Sequence, residues 1–316
     1  MLRDFSMVMI ILTHATAYFL KNKIAYILWD LSEFSVTVFI FCSFYLFFKK
    51  PVGDTSSYLK KRLSRLYIPY LIFLAFFLPL RILSDTHPMT HWEVLRHLTL
   101  TTAGNDLSWL VLLFIQLTFV GIVLKNVEGK KFLLGFFFFL SLLSAIIFLA
   151  PPSLGEVGNF KLIMCLPWSL VIFFTWFFVR WENKPKFLLK ITLLSGFVFF
   201  TMHFLNINFV HRLAFYDNKY PPNLYLLSYG IFWICLLLIL VRVRMFDAPI
   251  VKPLLNYLSR YSYSVYFIHF FILYYLSLLQ RPLLNRLDWW GLFGVLLFGS
   301  IGVQWGVVKL RSQLQH

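Results

Sequence analysis

Long apolar runs alternate with short polar breaks along this chain, on the length scale of a lipid bilayer rather than of a globular core. A window of about 19 residues, enough to cross the hydrocarbon layer as a helix, picks out ten runs. They cover residues 5–20, 27–48, 66–84, 107–124, 132–150, 162–179, 187–205, 224–241, 261–279 and 290–308. The breaks hold proline and charge, as in Lys49-Lys50-Pro51, Ala150-Pro151-Pro152 and Tyr220-Pro221-Pro222. Strand-like alternation is scarce, and lipid forces backbone groups to pair within their own segment. The pattern predicts an all-α, polytopic transmembrane helical bundle of about ten helices, forming a single membrane domain over residues 1–316.

Composition supports lipid as the solvent. With 60% hydrophobic and only 13% charged residues, two soluble domains of this combined length would leave large apolar surfaces in water. Cys42, Cys165 and Cys235 all fall inside apolar runs, where a thiol acts as a small hydrophobe, so neither a disulfide framework nor a metal site is expected. The first run contains Arg3, Asp4 and His14 and lacks a small-residue cleavage site, which makes it a retained helix rather than a signal peptide. Residues 136–139, four consecutive phenylalanines, read as lipid-facing filler.

The net charge of +16 would suit a phosphate-binding surface, but the basic residues sit in short loops between apolar runs. They therefore predict orientation, with no nucleic-acid partner. The connections after the second, fourth, sixth and eighth runs, with both ends, hold about 20 of the 29 Lys and Arg residues. This places both termini in the cytoplasm. The two longest connections on the opposite side, 85–106 and 206–223, are expected as loops that meet an acceptor or partner protein.

Ionisable groups inside a bilayer are costly unless paired or hydrated, so each marks a candidate site. Arg3 precedes His14 by eleven positions, which is three helical turns plus about 20°, and puts both on one face about 16 Å apart. A cation at the cytoplasmic mouth then shares a wall with an imidazole near mid-membrane. For His14 alone, a helix-packing role is the alternative. The basic stretch 60–65, with Arg62 and Arg65, lies on the same side; by itself it is equally a stop-transfer cluster or a lipid-headgroup contact. His269 is a second intramembrane histidine whose face the pattern leaves open. Glu33 either polarises a histidine or sits at the interface. His87 and His91 are spaced to share a metal, but Pro88 between them and the lack of a third ligand favour a solvated loop.

The opening segment, Arg3-Asp4-Phe5 through Leu12-Thr13-His14, resembles the first helix of the acyltransferase family 3 membrane proteins. Arg62 and Arg65, followed by Tyr67 and Pro69, are similar to that family's third-helix arginine pair. Asp106-Leu107-Ser108-Trp109-Leu110 resembles its aromatic start to a middle helix, and Ser262-Tyr263 through Tyr266 and His269 its late Ser-Tyr…Tyr-Leu-x-His motif. Lys219-Tyr220-Pro221-Pro222 looks like a loop of some members. The second helix departs from the pattern: Phe44 stands where a small residue is common, so local packing is expected to differ. Only two residues precede Arg3, a short cytoplasmic lead, and no segment corresponds to the extracytoplasmic hydrolase-like domain of some larger members.

The resemblance implies a cell-membrane enzyme, bacterial and cytoplasmic-membrane in location. Such an enzyme moves an acyl group, commonly acetyl, from cytoplasmic acyl-CoA to a hydroxyl of a carbohydrate, lipid-linked carbohydrate or related envelope molecule. Acetyl-CoA is then a donor substrate, with no tightly bound cofactor; membrane lipids and envelope-synthesis proteins are the further partners. His14 and Arg3 become the catalytic candidates, Arg62 and Arg65 the residues for the coenzyme phosphates, and Glu33 and His269 further candidates. A polysaccharide or lipid transporter or flippase is the alternative class, because ten helices with buried histidines also suit a substrate pathway. Consumption of an acyl donor separates the two. A scaffold for an envelope-synthesis complex would tolerate loss of His14.

Overall fold

The computed structural model describes residues 1–50, 54–84, 90–102, 107–150, 160–184, 186–249 and 251–313. Among these residues every extended regular element is a helix. The ten apolar runs all coincide with helical stretches. The α-helices of the described residues are, in order, α1 (Leu2–Thr16), α2 (Lys23–Leu31), α3 (Ser35–Lys49), α4 (Thr55–Ser84), α5 (His91–Thr99), α6 (Ser108–Asn126), α7 (Lys131–Ile147), α8 (Phe160–Ile163), α9 (Cys165–Trp181), α10 (Phe187–Leu205), α11 (Leu224–Arg242), α12 (Val251–Leu278), α13 (Arg281–Leu284) and α14 (Trp289–Gln313). The second run is α2 and α3 together, joined through a tight turn at Ser32–Phe34.

Seven of the helical stretches among the described residues are long and apolar enough to cross a membrane. α1 and α7, at 15 and 17 residues, are shorter. α12 is 28 residues long, but its tyrosines, serines and His269 dilute its apolar character. The molecule is a multi-pass helical membrane bundle.

The connection 85–106, expected as a loop, contains α5. Thr90 starts this helix with a reciprocal cap: its hydroxyl accepts from the Glu93 N–H at 3.3 Å, while Glu93 Oε2 accepts from the Thr90 N–H at 2.8 Å. That second bond holds the Glu93 carboxyl below the usual carboxylate range. Two α4 tyrosines dock the far end, with Tyr67 Oη donating to the Leu98 carbonyl at 2.5 Å and Tyr70 Oη to that of His97 at 2.9 Å. His91 is the first residue of α5, whereas His87 lies outside the described residues.

α1 is the hub, packed against α2, α3, α11, α12 and α14. α3 also meets α9 and α11, α4 bridges α12 and α6, and α10 leans on α11 at the periphery. In lipid, helices associate through close packing and polar bonds rather than through the hydrophobic effect. Two glycines permit such close packing. At Gly230 of α11 a Cβ would lie 2.3 Å from Thr37 Oγ1 of α3. At Gly121 of α6 a Cβ would lie 2.7 Å from the Phe44 ring. The bulk of Phe44 is thus accommodated by a missing side chain on the facing helix, which explains how α3 tolerates that departure.

Candidate active site

His14 is carried on the hub helix, where α1 runs beside α12. Its ring lies 4.4 Å from that of Phe270 and 5.5 Å from that of His269, centroid to centroid. His269 is fully buried, and its Nδ1 lies 3.2 Å from the Val265 carbonyl, one turn back on α12. A carbonyl only accepts, so Nδ1 carries the proton and Nε2 presents a lone pair; that Nε2 has no hydrogen-bond partner. Tyr266 packs against His269 and Phe270 at 5.5 and 5.2 Å.

The same two helices hold Arg3. Its guanidinium donates to the Ser259 carbonyl and, at 3.3 Å, to Ser259 Oγ. Arg3 meets Ser259 and His14 meets His269, so α1 and α12 run parallel, and eleven residues of α1 separate a cationic end from an imidazole centre.

His14 lines a cavity of about 240 Å³ with Thr13, Trp29, Glu33, Trp109, Lys219 and several tyrosines, among them Tyr216, Tyr220, Tyr266 and Tyr274. It opens beside Ala17 and Tyr18, at the end of α1 away from Arg3, and both residues are exposed. Polar bonds fix the wall between α1 and the α2–α3 turn: Thr13 Oγ1 and Ser32 Oγ are 2.7 Å apart, and Ser6 Oγ donates to the Ser35 carbonyl at 2.5 Å.

Glu33, the residue after Ser32, is 1% exposed and accepts from Lys219 Nζ at 2.6 Å. Glu33 is held in this buried ion pair, and no hydrogen bond joins it to His14. Its other oxygen, Oε1, is buried and without a partner. The Lys219 ammonium also lies 5.6 Å over Trp109 and 5.4 Å over Tyr220.

Lys219 comes from the 206–223 connection, which has defined structure. Asn218 Nδ2 donates to the carbonyls of Arg212 and Ala214, Asn223 bonds Asn218 Oδ1 at 2.6 Å and caps α11, and Asp30 Oδ1 accepts from the Phe215 N–H at 2.6 Å. Phe215 stacks on Tyr229 at 3.8 Å. Charged and amide side chains near the apolar runs are the sequence signal for this cap; their partners lie too far along the chain to be paired by spacing.

Arg62 stands apart from the cavity. Its Nε donates to Thr118 Oγ1 at 2.9 Å and its Nη2 to Ser43 Oγ at 2.6 Å, while the guanidinium lies 5.2 Å over Phe44. It ties α4 to α6 and α3. Arg65, one turn further along α4, is exposed. Of the expected residues, the structure therefore gathers His14, His269 and Glu33 around one site, sets Arg3 at the far end of α1, and leaves Arg62 and Arg65 on α4. Asp106 lies outside the described residues; Trp109, from the same motif, lines the cavity.

The family model of acyltransferase family 3, described as an acyltransferase domain, matches residues 1–308. The chain belongs to this family and is a membrane acyltransferase. No curated protein and no solved structure matches it.

Proposed function

We propose that this acyltransferase moves an acyl group, acetyl in the first instance, from cytoplasmic acyl-CoA to a hydroxyl of an envelope carbohydrate, with His14 as general base. The supporting observation is the position of His14: it lines the cavity from the hub helix, with Arg3 eleven residues away at the opposite end of the same helix. The carrier's thioester arm reaches inward from the Arg3 end and the acceptor occupies the cavity. Arg65 and Arg3 attract the coenzyme phosphates at that end, and Arg62 lends its charge from within the helix contact.

In the reaction the neutral His14 imidazole takes the acceptor O–H proton as that oxygen bonds to the thioester carbonyl carbon. The C–S bond then breaks, the coenzyme leaves as thiolate, and the imidazolium returns the proton to sulfur. Free coenzyme A and the acyl ester are the products. His269 Nε2 is a ready acceptor for an N–H of the His14 imidazolium, so His269 is a positioning residue. Parallel packing of α1 and α12 requires an odd number of crossings between them. The apolar stretches in between, α2 with α3, α4, α6, α7, α9, α10 and α11, are seven, which supports ten crossings with both termini cytoplasmic.

The test follows thiol release from acetyl-CoA by membranes containing the protein, with envelope glycans as acceptors. Wild type is expected to release coenzyme A and label the glycan, and His14→Ala to lower the rate by about 10²–10⁴ without losing its fold. Equal rates for the two proteins would remove His14 from the chemistry.

A further inference from the structure

Glu33 Oε1 is an ionisable oxygen buried beside a cavity with no donor to satisfy it, although its carboxylate is already held by Lys219. A carboxylate oxygen left in this state is destabilising until a donor reaches it. The surrounding wall shows what kind of donor fits. Trp29, Trp109, Tyr216 and Tyr220 line the same space, with Trp109 and Tyr220 edge to face at 5.1 Å. Flat aromatic faces cover the C–H face of a sugar ring, and the carboxylate accepts from a hydroxyl at its edge. The Glu33–Lys219 pair carries no net charge, while its unsatisfied atom is anionic and repels an acidic group. Thr13 and Ser32, the sequence neighbours of His14 and Glu33, are bonded at 2.7 Å, and His14 and Glu33 line the same cavity.

We propose that Glu33, braced by Lys219 and walled by Trp109 and Tyr220, is an acceptor-recognition subsite for an uncharged polyhydroxy ring. One hydroxyl faces His14 and is acylated; a neighbouring hydroxyl donates to Glu33 Oε1. The proposal rests on the reading of the cavity as the acceptor site, and it adds the acceptor's class: a neutral sugar unit bearing at least two hydroxyls. Uronic acids and singly hydroxylated alcohols are poor acceptors.

Binding is measured without any acyl donor, by saturation-transfer NMR on the full chain in lipid nanodiscs. The probes are the methyl glycosides of glucose, galactose, mannose and N-acetylglucosamine, their singly deoxygenated analogues, and methyl glucuronide. At least one neutral glycoside is expected to bind. Removing one particular hydroxyl is expected to weaken it about tenfold or more, and the glucuronide is expected to be rejected.

The double variant Glu33→Gln/Lys219→Met, which leaves no orphan charge, is expected to lose this discrimination. In the acylation assay it raises the KM for the acceptor about tenfold while the KM for acetyl-CoA stays at the wild-type value. Binding of the glucuronide as tightly as the neutral sugars, or failure of every neutral sugar to bind wild type, overturns the subsite. Hydroxyl-selective binding without thiol release upholds the subsite and instead overturns His14-dependent acyl transfer. The deoxy series uses wild-type protein, so it decides the matter even if the double variant does not fold.

Discussion

The seam around α1 and the lipid-facing rim around α7 and α10 are built from similarly apolar sequence, yet they use it differently. In the stretch Lys23–Lys49, 67% of the most apolar window is buried, against 28% in Phe187–Val210. The seam spends its burial on polar groups that find partners: Thr13 with Ser32, Ser6 with the Ser35 carbonyl, Glu33 with Lys219. The rim exposes Phe136, Phe139, Leu193, Phe197 and Phe204 to the hydrocarbon. In lipid an exposed phenylalanine is already solvated, whereas an unpaired polar group is not. Specific structure therefore concentrates where the polar groups are.

The largest change expected of a single substitution within the seam is from Lys219→Ala, which strands the buried Glu33 carboxylate and destabilises the protein by about 3–5 kcal/mol. The additional change Glu33→Ala restores much of that loss, as a double-mutant cycle on the thermal unfolding midpoint in detergent would show. Additive effects would contradict the pairing. Next comes Gly230→Ala, whose new methyl meets Thr37; overpacking there costs about 1–3 kcal/mol, and Thr37→Gly on the facing helix relieves it.

A smaller effect is expected where α4 meets α3 and α6. Arg62→Lys keeps the charge but not the fork that reaches both Ser43 and Thr118, so unfolding measurements should register a loss of about 1 kcal/mol. At the rim, Phe139→Leu should fall within about 0.5 kcal/mol of wild type. A drop as large as that of Gly230→Ala would reveal a specific contact on this exposed face.

Much of the architecture is written in the order of residues. Bilayer thickness sets the length of an apolar helix, so the ten runs could be located without knowing how they pack. His14 was legible because a histidine in hydrocarbon is rare and Arg3 shares its helical face. The capping box Thr90-His91-Trp92-Glu93 was equally present in the chain, but the surrounding polar residues masked it as a loop. Phe44 looked like an anomaly, since its compensation at Gly121 is 77 positions away.

Periodicity places a side chain on a face but does not name the helix opposite it. That is why the 3.6-residue repeat could align Arg3 with His14, while the meetings of His14 with His269 and Glu33 with Lys219 emerged only from the folded bundle. These pairs join residues 255 and 186 positions apart. Each is set by several helix contacts acting together, and no local energy term links its members before those contacts form.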